Sequence, residues 1–472
     1  MLRQAGNGRS SRPVFRGVSP RVHARSLLLL CLPFLLPFPA RARASESCQV
    51  WLNGEAIEVI DTAVNHRREW TSRPILDTTP VAVTVLDGPA EVEVCFPGVP
   101  LETAVVRPLS LGITPAVEGD RVRFALEGPA NVTVEYNGQV RGALHLFAAA
   151  PDTEKPDPND PGVIYFGAGL HEAGIVRPQS GQTVYLDEGC VLRGAIHADG
   201  VTNVRVAGPG ILDGSTFDRW KDILVPIDFA HSDHITIEGV TILDPAAWTL
   251  NLCKSGDVVV DGVKIVGARA NSDGITIQSC ERVQVRDCFV RGWDDNLVVK
   301  GYDGDARDIA FENCVLWTDL AQSCEIGYET RADVIERITF RDITVLHNFH
   351  KPVMSIHNSD NALVQDVLFE NIVVEDAQMG RGDGANFLID LTTTKSQWSK
   401  TAERGNIRRV TFDGVTVLDG VESAIRIFSF RKAYNVDDIV LRNITLFGEK
   451  ITDFSQIRMN VNKHNGVKIA IE

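Results

Sequence analysis

Three aspartates carry the chemistry to be explained: Asp273 in Asn-Ser-Asp-Gly at 271–274, and the pair Asp294 and Asp295 in Trp-Asp-Asp-Asn at 293–296. Sequence separations of 21 and 22 residues divide the lone aspartate from the pair, and Glu325 follows further on. Carboxyl groups gathered at one place can hydrolyse a glycoside. One carboxylic acid protonates the leaving oxygen while a carboxylate activates water on the opposite face of the sugar, and inversion needs the two roughly 6.5–9.5 Å apart. Crowding the acids raises the pKa of at least one of them, which keeps a proton available at neutral pH. Aspartates also decorate turns, as Asp287 and Asp342 do, and spacing alone fits both readings equally. The elements that hold the three residues decide between them.

Those elements are repeats. A unit of the form apolar-x-apolar-x-(Gly/Asp/Asn)-apolar-x-apolar occurs eight times, with its turn residue at Gly239, Gly262, Asp287, Asn313, Asp342, Asn371, Gly414 and Asn443. The intervals run from 23 to 29 residues, with a single interval of 43. Such periods mean a solenoid. One place after the turn stand Val240, Val263, Cys288, Cys314, Ile343, Ile372, Val415 and Ile444, an apolar column that must face inward. A second inward column, two places before the turn, contains Phe311, Phe340, Phe369 and Phe412 in succession. The units alternate at period two and are rich in Val, Ile and Thr, which favours strands over the helical half of a leucine-rich repeat. The fold class is therefore all-β, a right-handed parallel β-helix. Cys288 and Cys314 read as small buried hydrophobes within it.

Stacked coils lie about 4.8 Å apart, so residues one period distant become neighbours on one outer face. Asp273, the Asp294–Asp295 pair and Glu325 all fall after the strand pair of three consecutive coils. Adjacent Asp294 and Asp295 would face opposite sides of a regular strand. Both reach one site only if the chain bends there, which Gly292 permits.

Upstream, residues 162–215 have the same Gly-punctuated alternation and should form the first coils. PDTEKPDPNDP at 151–161 has four prolines and no apolar residue, the mark of an extended linker. Residues 45–150 hold short alternating runs between turn signals, as in a β-sandwich, and within it Cys48 and Cys95 are candidates to pair. The β-helix thus runs over 162–472. The first 44 residues carry eight arginines and no acid, then an apolar run from Leu27 to Phe38 and Ala42-Arg43-Ala44. That order of parts reads as an export signal, with an uncleaved anchor as the alternative; either places the body outside the cytoplasm, secreted or periplasmic. The 47 Lys and Arg against 62 Asp and Glu give a net charge of −15. Loss of the leader makes the chain more acidic still, which argues against nucleic acid and anionic membrane as partners.

The motifs Asn-Ser-Asp-Gly and Trp-Asp-Asp-Asn resemble the Asn-Thr-Asp-Gly and Gly-Asp-Asp-Cys motifs of polygalacturonases. The resemblance implies that Asp294 is the general acid and that Asp273 and Asp295 hold the nucleophilic water. Polygalacturonases next carry Gly-His-Gly and Arg-x-Lys, whereas here the stretch at 321–330 is AQSCEIGYET, with Glu325 at the position of the histidine, and no Arg-x-Lys follows. More of the chain is similar to the dextranase and isopullulanase family: a sandwich leader, VVRPLSLGI at 105–113, IYFGAGLHE at 164–172, VYLDEGCVLRGAI at 184–196, GPGILDG at 208–214, and three aspartates without the histidine. This implies an inverting, dextranase-like hydrolase, and moves the substrate from pectin toward an uncharged glucan.

Candidates for sugar contact around the trio are Trp248, Trp293, Lys300, Tyr302, Glu325, Tyr328, Glu329, His350, Lys351 and His357, though each singly also fits an ordinary packing role. His347, His350 and His357 match no compact zinc spacing, so neither metal nor cofactor is expected. The partner is a polysaccharide and the protein a monomer. Three other readings stand beside this one: a polygalacturonase-like pectin hydrolase, a β-helix lyase using a Lys or Arg base and calcium, and a glycan-binding solenoid without catalysis. Against the last, a plain scaffold has no reason to crowd like charges.

Overall fold

All eight turn residues of the repeat adopt the left-handed backbone conformation, with φ between 51° and 75°. Glycine enters that region freely, and Asn and Asp enter it at less cost than other side chains. This is why the turn position admits only those three residue types. The computed structural model describes residues 45–65, 76–219, 221, 224–379, 386–462 and 468–472. The leader expected over residues 1–44 lies outside them.

From Val163 onward the described residues form one continuous sheet of 30 strands wound into a right-handed parallel β-helix. Register is kept from coil to coil: Val258 pairs with Val283, then Ile309, Ile338, Val367, Val410 and Ile439 in turn. Both predicted apolar columns point inward and are buried along their whole length. Phe311, Phe340, Phe369 and Phe412 stack with ring centroids 4.8–4.9 Å apart and nearly parallel planes, one ring per coil. Cys288 and Cys314 sit in the core as free thiols.

Ahead of the coils, residues Gln49–Ala149 form two five-stranded sheets facing each other. Val50, Val92, Val94 and Val122 of one sheet meet Val132, Val134, Leu144 and Leu146 of the other. Cys48 and Cys95, both buried, are free thiols.

The second of these sheets is packed against the coils. Phe147 lies 4.9 Å from Phe289, ring to ring, within an apolar cluster that includes Val64, Val81, Val266 and Trp317. Beside it Arg291 donates to His145 Nε2 at 2.9 Å and stacks over Trp317 at 4.2 Å. Burial, with the Arg291 charge next to it, drives the His145 pKa far down, so the imidazole is neutral and accepts that bond. His347 bridges Glu135 at 2.7 Å and Asp376 at 2.8 Å, and Arg107 reaches Glu375 at 2.6 Å. The Phe147 and His145 contacts bear on the strand Phe289–Gly292, which Trp293 joins to Asp294 and Asp295.

Candidate active site

The spacing of 22 residues between Asp273 and Asp295 is one turn of the coil. Ile275 pairs with Leu297, and Leu297 with Cys324, so two residues earlier Asp273, Asp295 and Gln322 stand in register on three successive coils. The backbone bonds agree: Gly274 N–H donates to the Asp295 carbonyl at 2.8 Å, Asn296 N–H to the Gln322 carbonyl at 2.9 Å, and Thr249 N–H to the Asp273 carbonyl at 3.0 Å. Trp248 precedes Asp273 in the same column.

The chain bends between Gly292 and Leu297, so Asp294 and Asp295 escape the alternation of a strand and both line the same cleft. Asn296 holds the bend. Its buried amide donates to the Val290 carbonyl at 3.2 Å, the Trp317 carbonyl at 3.0 Å and Thr318 Oγ1 at 3.0 Å. A Cβ on Gly292 would meet the Asn296 oxygen at 2.2 Å, so a close approach makes this position glycine.

The trio opens into a cleft of about 660 Å³ that also exposes Trp248, Lys300, Tyr328, Glu329 and Lys351. Lys300 lies 3.4 Å from Asp273 and 3.1 Å from Glu329, with its ammonium 5.0 Å from the centre of the Trp248 ring. Burial works against the lysine charge, but Asp273, Glu329 and Asp295 outweigh it and raise its pKa. Asp294 accepts from the Asn271 amide at 3.4 Å, and Asp295 from the Gln322 backbone N–H at 3.1 Å.

Burial pushes the Asp273 carboxyl up to about 8, opposed by Lys300 and assisted by Asp294 and Glu329. Asp294 is raised by burial against the pull of Lys300 and Lys351. Asp295 is raised well above the ordinary carboxylate range, by burial first and then by Asp294, Glu325 and Asp273. Three desolvated carboxyls in one cleft cannot all ionise near neutrality, so the site holds at least one proton to give and one carboxylate to receive.

Five other expected sugar contacts do not face this cleft. Trp293 is buried against Ala270 and Leu320. Tyr302 is 41% exposed outside the cleft, under the Arg331 guanidinium at 4.5 Å. His350 is buried, and Glu325 and His357 lie beneath the cleft floor. Cys324 and Ile326 point into the core, so Glu325 points outward, where Ser355 and His357 cover it. His357 bridges Glu325 at 2.8 Å and Asp390 at 2.9 Å, and Asp390 in turn accepts from Arg426 at 2.7 Å. Burial disfavours the imidazolium, yet Glu325 and Asp390 raise its pKa to about 10. The Tyr328 ring stacks on His357 at 4.4 Å with 1° between planes. His357 therefore supports Tyr328, and with it the cleft, from beneath.

The cleft also contains residues that the periodicity did not single out: Arg219, Asn271, Gln322, Ser396, Gln397 and Trp398. Arg219 donates to the Ala270 carbonyl and to Asn271 Oδ1, both at 2.5 Å. Asn271 belongs to the Asn-Ser-Asp-Gly motif and Gln322 to the stretch following the aspartate pair, so both had a signal in sequence. Trp398 falls in the one interval of 43 residues. Arg219 had none.

Residues 180–465 match the family described as glycosyl hydrolases family 28. A probable polygalacturonase of Vitis vinifera is 25% identical over 156 residues, 33% of this chain and 27% of that protein. A probable exopolygalacturonase B of Aspergillus terreus (strain NIH 2624 / FGSC A1156) is 24% identical over 246 residues, 46% of this chain and 54% of that protein. The chain thus spans about a quarter and about half of these two relatives. Among solved structures, Dex49A from Penicillium minioluteum has a TM-score of 0.58 at 14% identity, covering 92% of this chain and 95% of its own. A hyperthermoactive exopolygalacturonase from Thermotoga maritima has a TM-score of 0.50 at 14% identity, covering 66% of this chain and 83% of its own. At such identity these two speak for the fold.

Proposed function

The chain belongs to glycosyl hydrolases family 28, and from that premise we propose that it is a glycosidase that cleaves an uncharged, dextran-like glucan with inversion. The observation that carries this reading is the meeting of Asp273, Asp294 and Asp295 on adjacent coils in one cleft. Coils about 4.8 Å apart bring carboxyls within ordinary side-chain reach of the roughly 6.5–9.5 Å that inversion needs. In this reading Asp294 gives its proton to the leaving glycosidic oxygen. Asp273 and Asp295 hold a water on the opposite face of the sugar, and whichever of the two is ionised takes its proton as oxygen attacks the anomeric carbon. Lys300 positions Asp273, and the bend held by Asn296 positions the acid.

An uncharged substrate is favoured because two of the three cations lining the cleft are held by its own groups, and the third, Lys351, shares the cleft with three aspartates and Glu329. Lys300 is shared by Asp273 and Glu329, and Arg219 is bonded to Ala270 and Asn271. A second reading, hydrolysis of polygalacturonate, draws on the names of the two curated relatives. Release of reducing ends from dextran, pullulan and polygalacturonate, measured beside Asp294→Asn, separates the two. Cleavage of dextran or pullulan supports the first, cleavage of polygalacturonate alone the second, and full activity in the variant overturns the assigned roles. Chelator-sensitive release of unsaturated products would instead place the chain with lyases. The proposal includes export by residues 1–44, a sandwich over 45–150, a linker over 151–161 and action as a monomer. N-terminal sequencing of the exported protein and its mass in solution test the leader and the monomer.

A further inference from the structure

The interval of 43 residues between Asn371 and Gly414 breaks a spacing otherwise kept at 23 to 29, yet the coils on either side stay in register from Leu363↔Asn406 to Val374↔Val417. The extra residues therefore leave the coil. The connection after the strand Met354–Asn358 takes only residues 359–362, whereas the one after Phe387–Thr393 runs from 394 to 405. This longer loop is built onto the shorter one beneath it. Asp360, fully buried, accepts from the backbone N–H of Lys400 at 2.7 Å and Thr401 at 2.8 Å, and from the Thr401 hydroxyl at 2.9 Å. Ser399 donates to the Ser359 carbonyl at 2.6 Å, and Gly405 N–H to the Asp360 carbonyl at 2.6 Å. A Cβ on Gly405 would fall 1.6 Å from the Ala362 carbonyl oxygen, so the two loops are in intimate contact.

What this scaffold presents is an uncovered indole. Ser396, Gln397 and Trp398 line the same cleft as the three aspartates, and Trp398 remains 42% exposed. The loop is held through backbone, serine and aspartate bonds, none of which uses the ring. A large apolar face kept open on a fixed loop beside polar side chains suits a pyranose, whose C–H face stacks on an aromatic plane while its hydroxyls find hydrogen-bonding partners. Trp248 occupies the column one coil before Asp273, and the Trp398 loop leaves the coil two strand-turns beyond Glu325, by way of Met354–Asn358. The acid trio lies between the two.

We propose that Trp398 is the stacking platform of a sugar-binding subsite remote from the bond cleaved, supplied by the loop at 394–405 and serving a polymeric glycan that lies along the helix axis. The proposal rests on the glycan-hydrolase reading of the cleft. Trp398 holds the chain and takes no part in proton transfer. In the full chain, Trp398→Ala raises KM for the polysaccharide about tenfold, the loss expected for one aromatic stacking contact, with kcat unchanged. Trp398→Tyr restores most of it.

Binding is read separately from cleavage by the retardation of Asp294→Asn in native gels cast with dextran, pullulan or polygalacturonate. Retardation in any of these that is abolished by adding Trp398→Ala supports the platform. If the wild type releases no reducing ends from the same polysaccharide, the platform stands and the hydrolase reading falls. Equal retardation with and without the indole overturns the platform even where wild-type hydrolysis is intact, and absence of retardation in all three gels overturns it as well.

Discussion

Replacing Gly274 by alanine tests how closely the two acid-bearing coils must approach. Gly274 follows Asp273 directly, and a Cβ there would lie 2.5 Å from the Asn296 carbonyl oxygen and 2.5 Å from Val290 Cγ1. Neither can yield easily. The carbonyl accepts the Ile275 N–H at 2.8 Å, a bond that joins the coils, and Val290 is wholly buried in the core. Ordinary contact begins near 3.4 Å, so the coil carrying Asp273 must move off the coil carrying Asp294 and Asp295 by about 0.9 Å. Overpacking of this kind costs about 1–3 kcal/mol. A displacement of about 1 Å in a catalytic constellation costs on the order of a hundredfold in rate. The expected result is a folded variant, its urea midpoint lowered at unchanged slope, with kcat on the polysaccharide down about a hundredfold. If Gly274→Ala keeps wild-type kcat and midpoint, the coil spacing does not set the geometry of the acids.

Further outcomes follow from the charges and from the sandwich contact. Glu325 is among the negative neighbours that raise Asp295, so Glu325→Gln lets the base ionise at lower pH and moves the acid limb of the kcat profile down. Lys300 lowers Asp273, so Lys300→Met moves the same limb up; shifts of the opposite sign would refute the assignment. The folded-state pKa of Asp273, about 8, lies above its unfolded value. The native chain therefore keeps a proton that the unfolded chain has released between about pH 4 and 8, and stability falls as pH rises through that window. Asp273→Asn is thus expected to gain about 1–3 kcal/mol at pH 8 and nothing at pH 4, measured by urea unfolding; a loss at pH 8 would count against it. Phe147→Ala empties the contact between sandwich and coils and should cost about 3–5 kcal/mol in the same assay, with a cost below about 1 kcal/mol refuting a shared core.

The coils are legible in the sequence because they rest on local rules repeated many times. A left-handed turn admits Gly, Asn or Asp, a column facing inward must be apolar, and eight copies make both patterns plain. The adjacency of Asp273 and Asp295 follows from the same period. Side-chain direction at irregular positions does not. Trp293 precedes the acid pair by one residue, but the bend turns its ring toward Ala270 and Leu320. His357 stands near the cleft in sequence and in space, yet Glu325 and Asp390, on the paired strands before and after its own, draw it beneath the floor. Trp398 and Arg219 come from connections, where the repeat imposes no position, and the interval of 43 residues marked only that something had been inserted. The packing of the sandwich on the coils depends on long-range pairs such as His145 with Arg291, which no periodicity reports.

The central claim is that carboxyls on adjacent coils cleave a glycosidic bond by direct attack of water. The most direct measurement is proton NMR of the first anomer released from the polysaccharide that the enzyme hydrolyses, recorded before mutarotation. The account predicts a product whose anomeric configuration is opposite to that of the bond cleaved. A product that retains the configuration would mean that one aspartate attacks the sugar itself, and would contradict the roles assigned to Asp273, Asp294 and Asp295.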